Sequence, residues 1–141
     1  MKDQDHIDGM GLAKERKIME KIDNEQEMRI AIAEACGWRI ESDGQSTFVY
    51  PPNEKGGNGY RVNDTRHPKI IALLPDYLND LNAMHEAEKV LTDIQCIHYF
   101  TQIMHIHNAR GGRGCSPFDY GHATAAQRAG AFCRTIYPER F

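Results

Sequence analysis

LPDYLNDLNAMHEAEKVL (Leu74–Leu91) and ATAAQRAGAFCRTI (Ala123–Ile136) are the two stretches whose reading decides the fold. In the first, Tyr77, Leu78, Leu81, Met84, Ala87 and Leu91 recur at three- and four-residue steps, the spacing that puts apolar side chains on one side of a helix. Pro75 and Asp76 suit its first turn, because proline has no N–H to leave unpaired and an acid favours the helix N-terminus. In the second, Thr124 followed by Gln127 forms a capping box, and Ala126, Ala129, Phe132, Cys133 and Ile136 make the inward stripe. Each stripe needs another element to cover it.

Upstream of these helices, Trp38–Ser42 alternates Trp38 and Ile40 with Arg39 and Glu41, Asp43-Gly44 punctuates, and Ser46–Tyr50 is rich in β-branched and aromatic residues. This pattern predicts a β-hairpin, which Pro51-Pro52 ends because proline cannot donate to a ladder. The following segment, Pro51 to Lys69, is long and glycine-rich, a length at which loops tend to serve function, and Tyr60-Arg61-Val62 within it reads as a short extra strand. Asn24 is positioned to cap a helix lined by Met28, Ala31, Ile32 and Ala35, which ends at Gly37. Before it, Leu12–Ile22 carries Leu12, Ile18, Met19 and Ile22 on an otherwise charged helical segment. Ile94, Ile97, Tyr99, Phe100, Ile103 and Met104 suggest a third major helix from Asp93 to about His107, with strand as the alternative reading. Asn108–Gly121 reads as a loop.

The division that follows is a charged helical extension over residues 1–23 and one layered α/β (α+β) domain over 24–141, in which a short antiparallel hairpin or sheet is packed by about four helices. A compact domain of this length buries roughly 68–70% of its unfolded surface, enough for an independent core. No run approaches the roughly 18 apolar residues of a membrane span, and the polar N-terminus MKDQDHIDGM lacks the pattern of a signal peptide, so the expected place is the cytoplasm. Cys36, Cys96, Cys115 and Cys133 are scattered without a CxxC pair, which fits reduced thiols better than a zinc knuckle. The net charge of −3 argues against generic nucleic-acid binding. Residues 1–107 hold 12 basic against 18 acidic side chains and residues 108–141 hold 5 against 2, so the tail can offer a basic face.

Three strings, RIAIAEACGW (Arg29–Trp38), LPDYLNDLNAMHEAEKVL and ATAAQRAGAF (Ala123–Phe132), resemble the phage ABA sandwich domain family, small proteins encoded by tailed phages and prophages. The resemblance runs from about Asn24 to Ile136. It implies a layered α/β fold and a bacterial host cell as the setting, and it brings no catalytic residues. The chain departs from the family pattern between His98 and Gly121, a His- and Gly-rich segment where relatives look like a polar helix and a short loop.

The densest chemistry along the chain is His98, His105 and His107, with Cys115 nearby. On a strand His105 and His107 share a face, as HxH metal pairs do; on a helix His98 and His105 are two turns apart and His107 points elsewhere. Neither geometry brings three ligands together. His85 and Glu88, three residues apart, fall on one helix face and read best as a structural pair bonding to a neighbouring element. ARGGRG (Ala109–Gly114) resembles RNA-contacting Arg-Gly-Gly segments, but one copy in an acidic chain is a weak signal. P-loop, GxGxxG, GxSxG and HExxH motifs are absent.

Tyr60, Arg61, Arg66 and His67 in the long loop, with Arg110 and Arg113 in the Asn108–Gly121 loop, are the residue types enriched at interfaces and form the candidate contact surface. The expectation is a non-enzymatic binding module that engages a host or phage protein, with no membrane partner and no cofactor. The alternatives are a metal-dependent hydrolase built on His98, His105, His107 and Cys115, or a sponge for a small nucleotide, which needs a pocket with convergent arginine and aromatic side chains.

Overall fold

A computed structural model describes the backbone of residues 2–52, 60–62, 70–111 and 120–141, and the side chains of all of these except 2–10, 19, 22, 23, 62 and 107–111. The chain folds as a small α+β unit in which helices dominate and a three-stranded antiparallel sheet lies at one side. Helix α1 spans Lys2–Ala35; strands β1, β2 and β3 span Arg39–Ser42, Thr47–Tyr50 and Tyr60–Val62; helices α2, α3 and α4 span Leu81–Glu88, Asp93–Gly111 and Ala125–Ile136.

Helix α4 is the centre of the fold and packs on α1, α2 and α3. Its capping box forms as expected: the Gln127 N–H donates to Thr124 Oγ1, and the Gln127 side chain accepts from the Thr124 N–H. Ala129, Phe132 and Cys133 are fully buried on the predicted stripe, whereas Ala126 is exposed. Burial also extends to Ala125, Arg128 and Ala131, because a helix enclosed on several sides hides more than one stripe. Small residues there let three helices approach closely, and Phe132 fills the space between them with Ile32, Met84 and Ile103 in one core.

The predicted hairpin forms, with Arg39 opposite Tyr50 and Ile40 opposite Val49, and β3 adds to β2 with Phe48 opposite Arg61. Val49 points into the core while the Arg39 guanidinium lies over the Tyr50 ring at 4.7 Å. Asp43 closes the turn by accepting the N–H groups of Gln45 and Ser46 at 2.9 and 2.7 Å. Gly37 is fixed twice over: its φ of 97° is left-handed, and an added Cβ would come within 3.1 Å of the Pro52 side chain.

Three boundaries differ from the sequence reading. Asn24 caps nothing, because α1 continues from Lys2 through it to Ala35. Leu74–Leu91 is not one helix: the chain turns between Pro75 and Asn79, and the helix starts only at Leu81, where the Asp80 carboxylate caps it by accepting the Asn82 N–H. Tyr77 and Leu78 are still buried, but from a turn, and Leu81 is 40% exposed at the helix edge. Residues 93–107 are helix and not strand, and that helix reaches Gly111, four residues into the segment expected as loop. Among the described residues no helix is long and apolar enough to cross a membrane.

Candidate functional site

Between Ile94 and Ala109 the chain holds sixteen residues without a single Asp, Glu, Lys or Arg. All sixteen belong to α3. One side of that helix is spent on the core, where Tyr99 and Ile103 are buried and Ile106 packs against them. The opposite side runs through Ile94, Ile97, His98, Thr101 and His105, at i, i+3, i+4, i+7 and i+11, and every one of these is exposed. Ile94 and Ile97 are 70% and 68% exposed. Phe100 is exposed at the flank, its ring 4.8 Å from that of Tyr120.

A single exposed isoleucine is ordinary on a protein surface. Two of them one turn apart, on a helix side with no charged residue for four turns, are not what solvation selects, since the outward face of a surface helix normally carries charge. Depletion of charge around apolar side chains is instead the composition of an interface core.

Beside the start of α3 lies a cavity of about 290 Å³ lined mainly by apolar groups, including Trp38, Pro52, Pro75, Ala83 and Val90. Val90 is also among the exposed apolar residues and lies four positions before Ile94 in the chain. Tyr77 lines the cavity floor, with its hydroxyl beside the Trp38 indole and the Cys36 thiol. Burial pushes the Cys36 thiol above its ordinary value, and the neighbouring Tyr77 hydroxyl only partly offsets this. Cys36 is thus a packing residue and not an activated nucleophile. Glu86, the one charged residue among the described lining, is held by Lys89 at 2.6 Å. The cavity suits an inserted apolar side chain. Among the described residues its lining holds no arginine.

The residues expected from sequence divide between places. Tyr60 and Arg61 are both exposed on β3, an edge strand, with Arg61 Nε and Nη2 donating to Ser46 Oγ at 3.3 and 3.2 Å. Arg61 is therefore partly occupied in tying β3 to the hairpin turn. Arg66, His67, Arg113 and Cys115 lie outside the described residues, and so do the side chains of Arg110 and His107. His98 and His105 are exposed on the outer face of α3, seven residues apart, which is about 10.5 Å along the axis. Among the described residues no group of three His, Cys, Asp or Glu side chains is placed to hold a metal.

His85 and Glu88 do form the structural pair read from their spacing, with Nδ1 and Oε1 at 3.3 Å, and Glu88 bonds onward to Arg128 of α4 at 3.2 Å. Sequence reasoning missed Arg128, which is only 3% exposed. Its Nε donates to the Ala123 carbonyl at 3.2 Å and its Nη2 to the Tyr120 carbonyl at 2.8 Å, and the guanidinium lies over the Tyr120 ring. Burial works against its charge, but the neighbouring Tyr99, Glu88 and Tyr120 groups hold it above its ordinary value. The Tyr99 hydroxyl is buried beside Arg128 and Glu88 without a well-aligned hydrogen bond to either, and burial pushes its pKa up. Sequence reasoning also missed the outer face of α3, for which the signal was the uncharged run from Ile94 to Ala109. Compared with family models, curated proteins and solved structures, the chain finds no match.

Proposed function

We propose that the protein is a non-enzymatic binding module, an accessory protein of a phage or prophage that engages a host or phage protein in the bacterial cytoplasm. The observation that carries the binding reading is the outer face of α3, where Ile94 and Ile97 stand exposed on a helix side without charge. The cavity lined by Trp38 and Val90 supplies a place for one apolar anchor of a partner, which is how compact interfaces concentrate affinity. The exposed Tyr60 and Arg61 offer a second contact of the kind enriched at interface rims and hot spots. The phage setting and the cytoplasm rest on the resemblance of the three strings between Arg29 and Phe132.

The test is capture of a partner by the tagged wild-type chain from the host or from phage-infected cells, repeated with Ile94→Asp/Ile97→Asp. The double variant is expected to keep its melting temperature and to lose capture, because a charge on each isoleucine opposes desolvation of the face without touching the core. A partner held equally well by the variant would remove α3 as the binding surface.

A further inference from the structure

We propose that the sheet continues into a second copy of this chain, with β1 paired antiparallel to the β1 of that copy and the two strands centred on Ile40. Strand β1 is an outer strand, and among the described residues no strand lies beyond it. In its ladder with β2, pairs that exchange hydrogen bonds alternate with pairs that do not. The Asp43 N–H donates to the Ser46 carbonyl at 3.1 Å, next to the Ser42–Thr47 pair. By that alternation Glu41 and Arg39 turn their backbone groups to β2, and Ser42 and Ile40 turn theirs outward. Outward N–H and C=O groups are a template for another strand, which proteins commonly block with a proline, a lysine, a bulge or a charge on the core side. Strand β1 has none of these: its four pairs with β2 run without interruption, and its core-side residues are Ile40, which packs against the core, and Ser42.

The charges select the occupant and its register. Arg39 and Glu41 project from one side of β1, as their ion pair at 3.6 Å requires, and both side chains are 59% exposed. The Tyr50 ring beneath the guanidinium keeps Arg39 over the sheet. Antiparallel pairing centred on Ile40 sets Arg39 of each copy opposite Glu41 of the other, in pairs whose Cα atoms lie about 4.5 Å apart. Ile40 then faces Ile40 of the second copy, and the two exchange their outward backbone bonds, as an isologous contact requires. Centring the pair on Arg39 would set arginine against arginine, and centring it on Glu41 would set glutamate against glutamate. Centring it on Ser42 would set Glu41 against Asp43. Opposite charges across strands stabilise a pairing and like charges oppose it, so this strand is complementary to itself in the Ile40 register. The pairing doubles the three-stranded sheet, which leaves it within the ordinary range of widths. A strand of 4 residues covers far less than the roughly 800 Å² per partner of a stable complex, so the dimer is reversible and depends on concentration. The contact lies apart from the outer face of α3 and does not rest on the role proposed for it.

Sedimentation velocity of the full chain from about 1 μM to about 1 mM, a range that covers weak association, tests this. Wild type is expected to pass from monomer to dimer across that range. Arg39→Glu and Glu41→Arg, made singly, each set like charges opposite one another in both cross-strand pairs, and each is expected to weaken the dimer about tenfold or more. The double variant Arg39→Glu/Glu41→Arg exchanges the two charges and is expected to dimerise as wild type does. An equimolar mixture of the two single variants is expected to associate equally well, because each supplies the charge that the other lacks. Ile94→Asp/Ile97→Asp leaves β1 untouched and is expected to keep the dimer. Wild type that stays monomeric throughout overturns the proposal, as do single variants that dimerise at wild-type strength. A double variant and a mixture that both stay monomeric overturn it too, and loss of the dimer in Ile94→Asp/Ile97→Asp overturns it by moving the contact to α3.

Discussion

Arg128 shows how one residue can set the spacing of three elements. Its guanidinium spans the Glu88 carboxylate at the end of α2 and the Tyr120 and Ala123 carbonyls ahead of α4, all within 3.2 Å. Removing it takes a donor from both carbonyls and from the Glu88 carboxylate, although the Tyr120 carbonyl keeps the Ala123 N–H and Glu88 keeps His85 beside it; breaking a buried charged pair from one side typically costs about 3–5 kcal/mol. Glu88 retains some access to water, so Arg128→Met is expected at the lower end, about 3 kcal/mol, and Glu88→Gln at less, about 1 kcal/mol, because an amide oxygen still accepts. Equal losses from the two variants in urea unfolding would show that the ion pair, and not the carbonyl contacts, dominates. Asp43 is the second residue with a directional consequence. The Ser46 and Gln45 N–H groups that its carboxylate accepts hold its pKa below the ordinary value. The ionised form is thus favoured in the folded state, and its contribution is fully present above the unfolded value of about 3.9 and is lost as pH falls through the lower folded value. The difference in melting temperature between wild type and Asp43→Asn is expected to shrink on acidification below about pH 4. A difference that grows there would contradict the turn geometry.

At the scale of elements, α2 and α4 respond differently to the same kind of truncation. Phe132→Ala empties the centre of the core and is expected to cost about 3–5 kcal/mol, whereas Leu81→Ala at an exposed helix edge is expected to cost under about 1 kcal/mol. A loss at Leu81 approaching that at Phe132 would mean that the 75–80 turn packs more tightly than its exposure indicates. The contrast also marks what periodicity can and cannot read. The stripe of α4 was legible because the Thr124/Gln127 box fixes the start and the helical period holds to Ile136. The Leu74–Leu91 stripe was over-read: Tyr77 and Leu78 are buried as the pattern requires, but a turn buries them equally well, and the Asp80 cap inside the pattern sets the true start. Asp43-Gly44 and the alternation around it carried the hairpin, and the β-branched Val62 after Tyr60 carried the third strand. The two sides of α3 were not legible from spacing, since apolar residues sit on both. What distinguishes Ile94 and Ile97 from Tyr99 and Ile103 is which side meets α4, and that is decided by tertiary packing.

For the whole molecule, the three described cysteines report the burial gradient from surface to core. Cys96 is exposed near the start of α3, Cys36 is half-buried beside the cavity, and Cys133 is buried in α4. Alkylation proceeds through the thiolate, so both exposure and the free energy of ionisation set the rate. Burial pushes the Cys133 thiol up to about 12, with Arg140 opposing only in part, and it raises Cys36 in the same direction. At pH 8 the thiolate of Cys133 is therefore scarce even when a reagent reaches it. The expected order of iodoacetamide labelling, followed by mass spectrometry of peptides, is Cys96 first, Cys36 more slowly, and Cys133 only as fast as the domain opens globally. Because that last step reports the unfolding equilibrium, Arg128→Met is expected to speed labelling of Cys133 by roughly a hundredfold for a loss of about 3 kcal/mol, while leaving Cys96 unchanged. Labelling of Cys133 at the rate of Cys96 in the wild-type chain would show that α4 is not the enclosed centre of the fold.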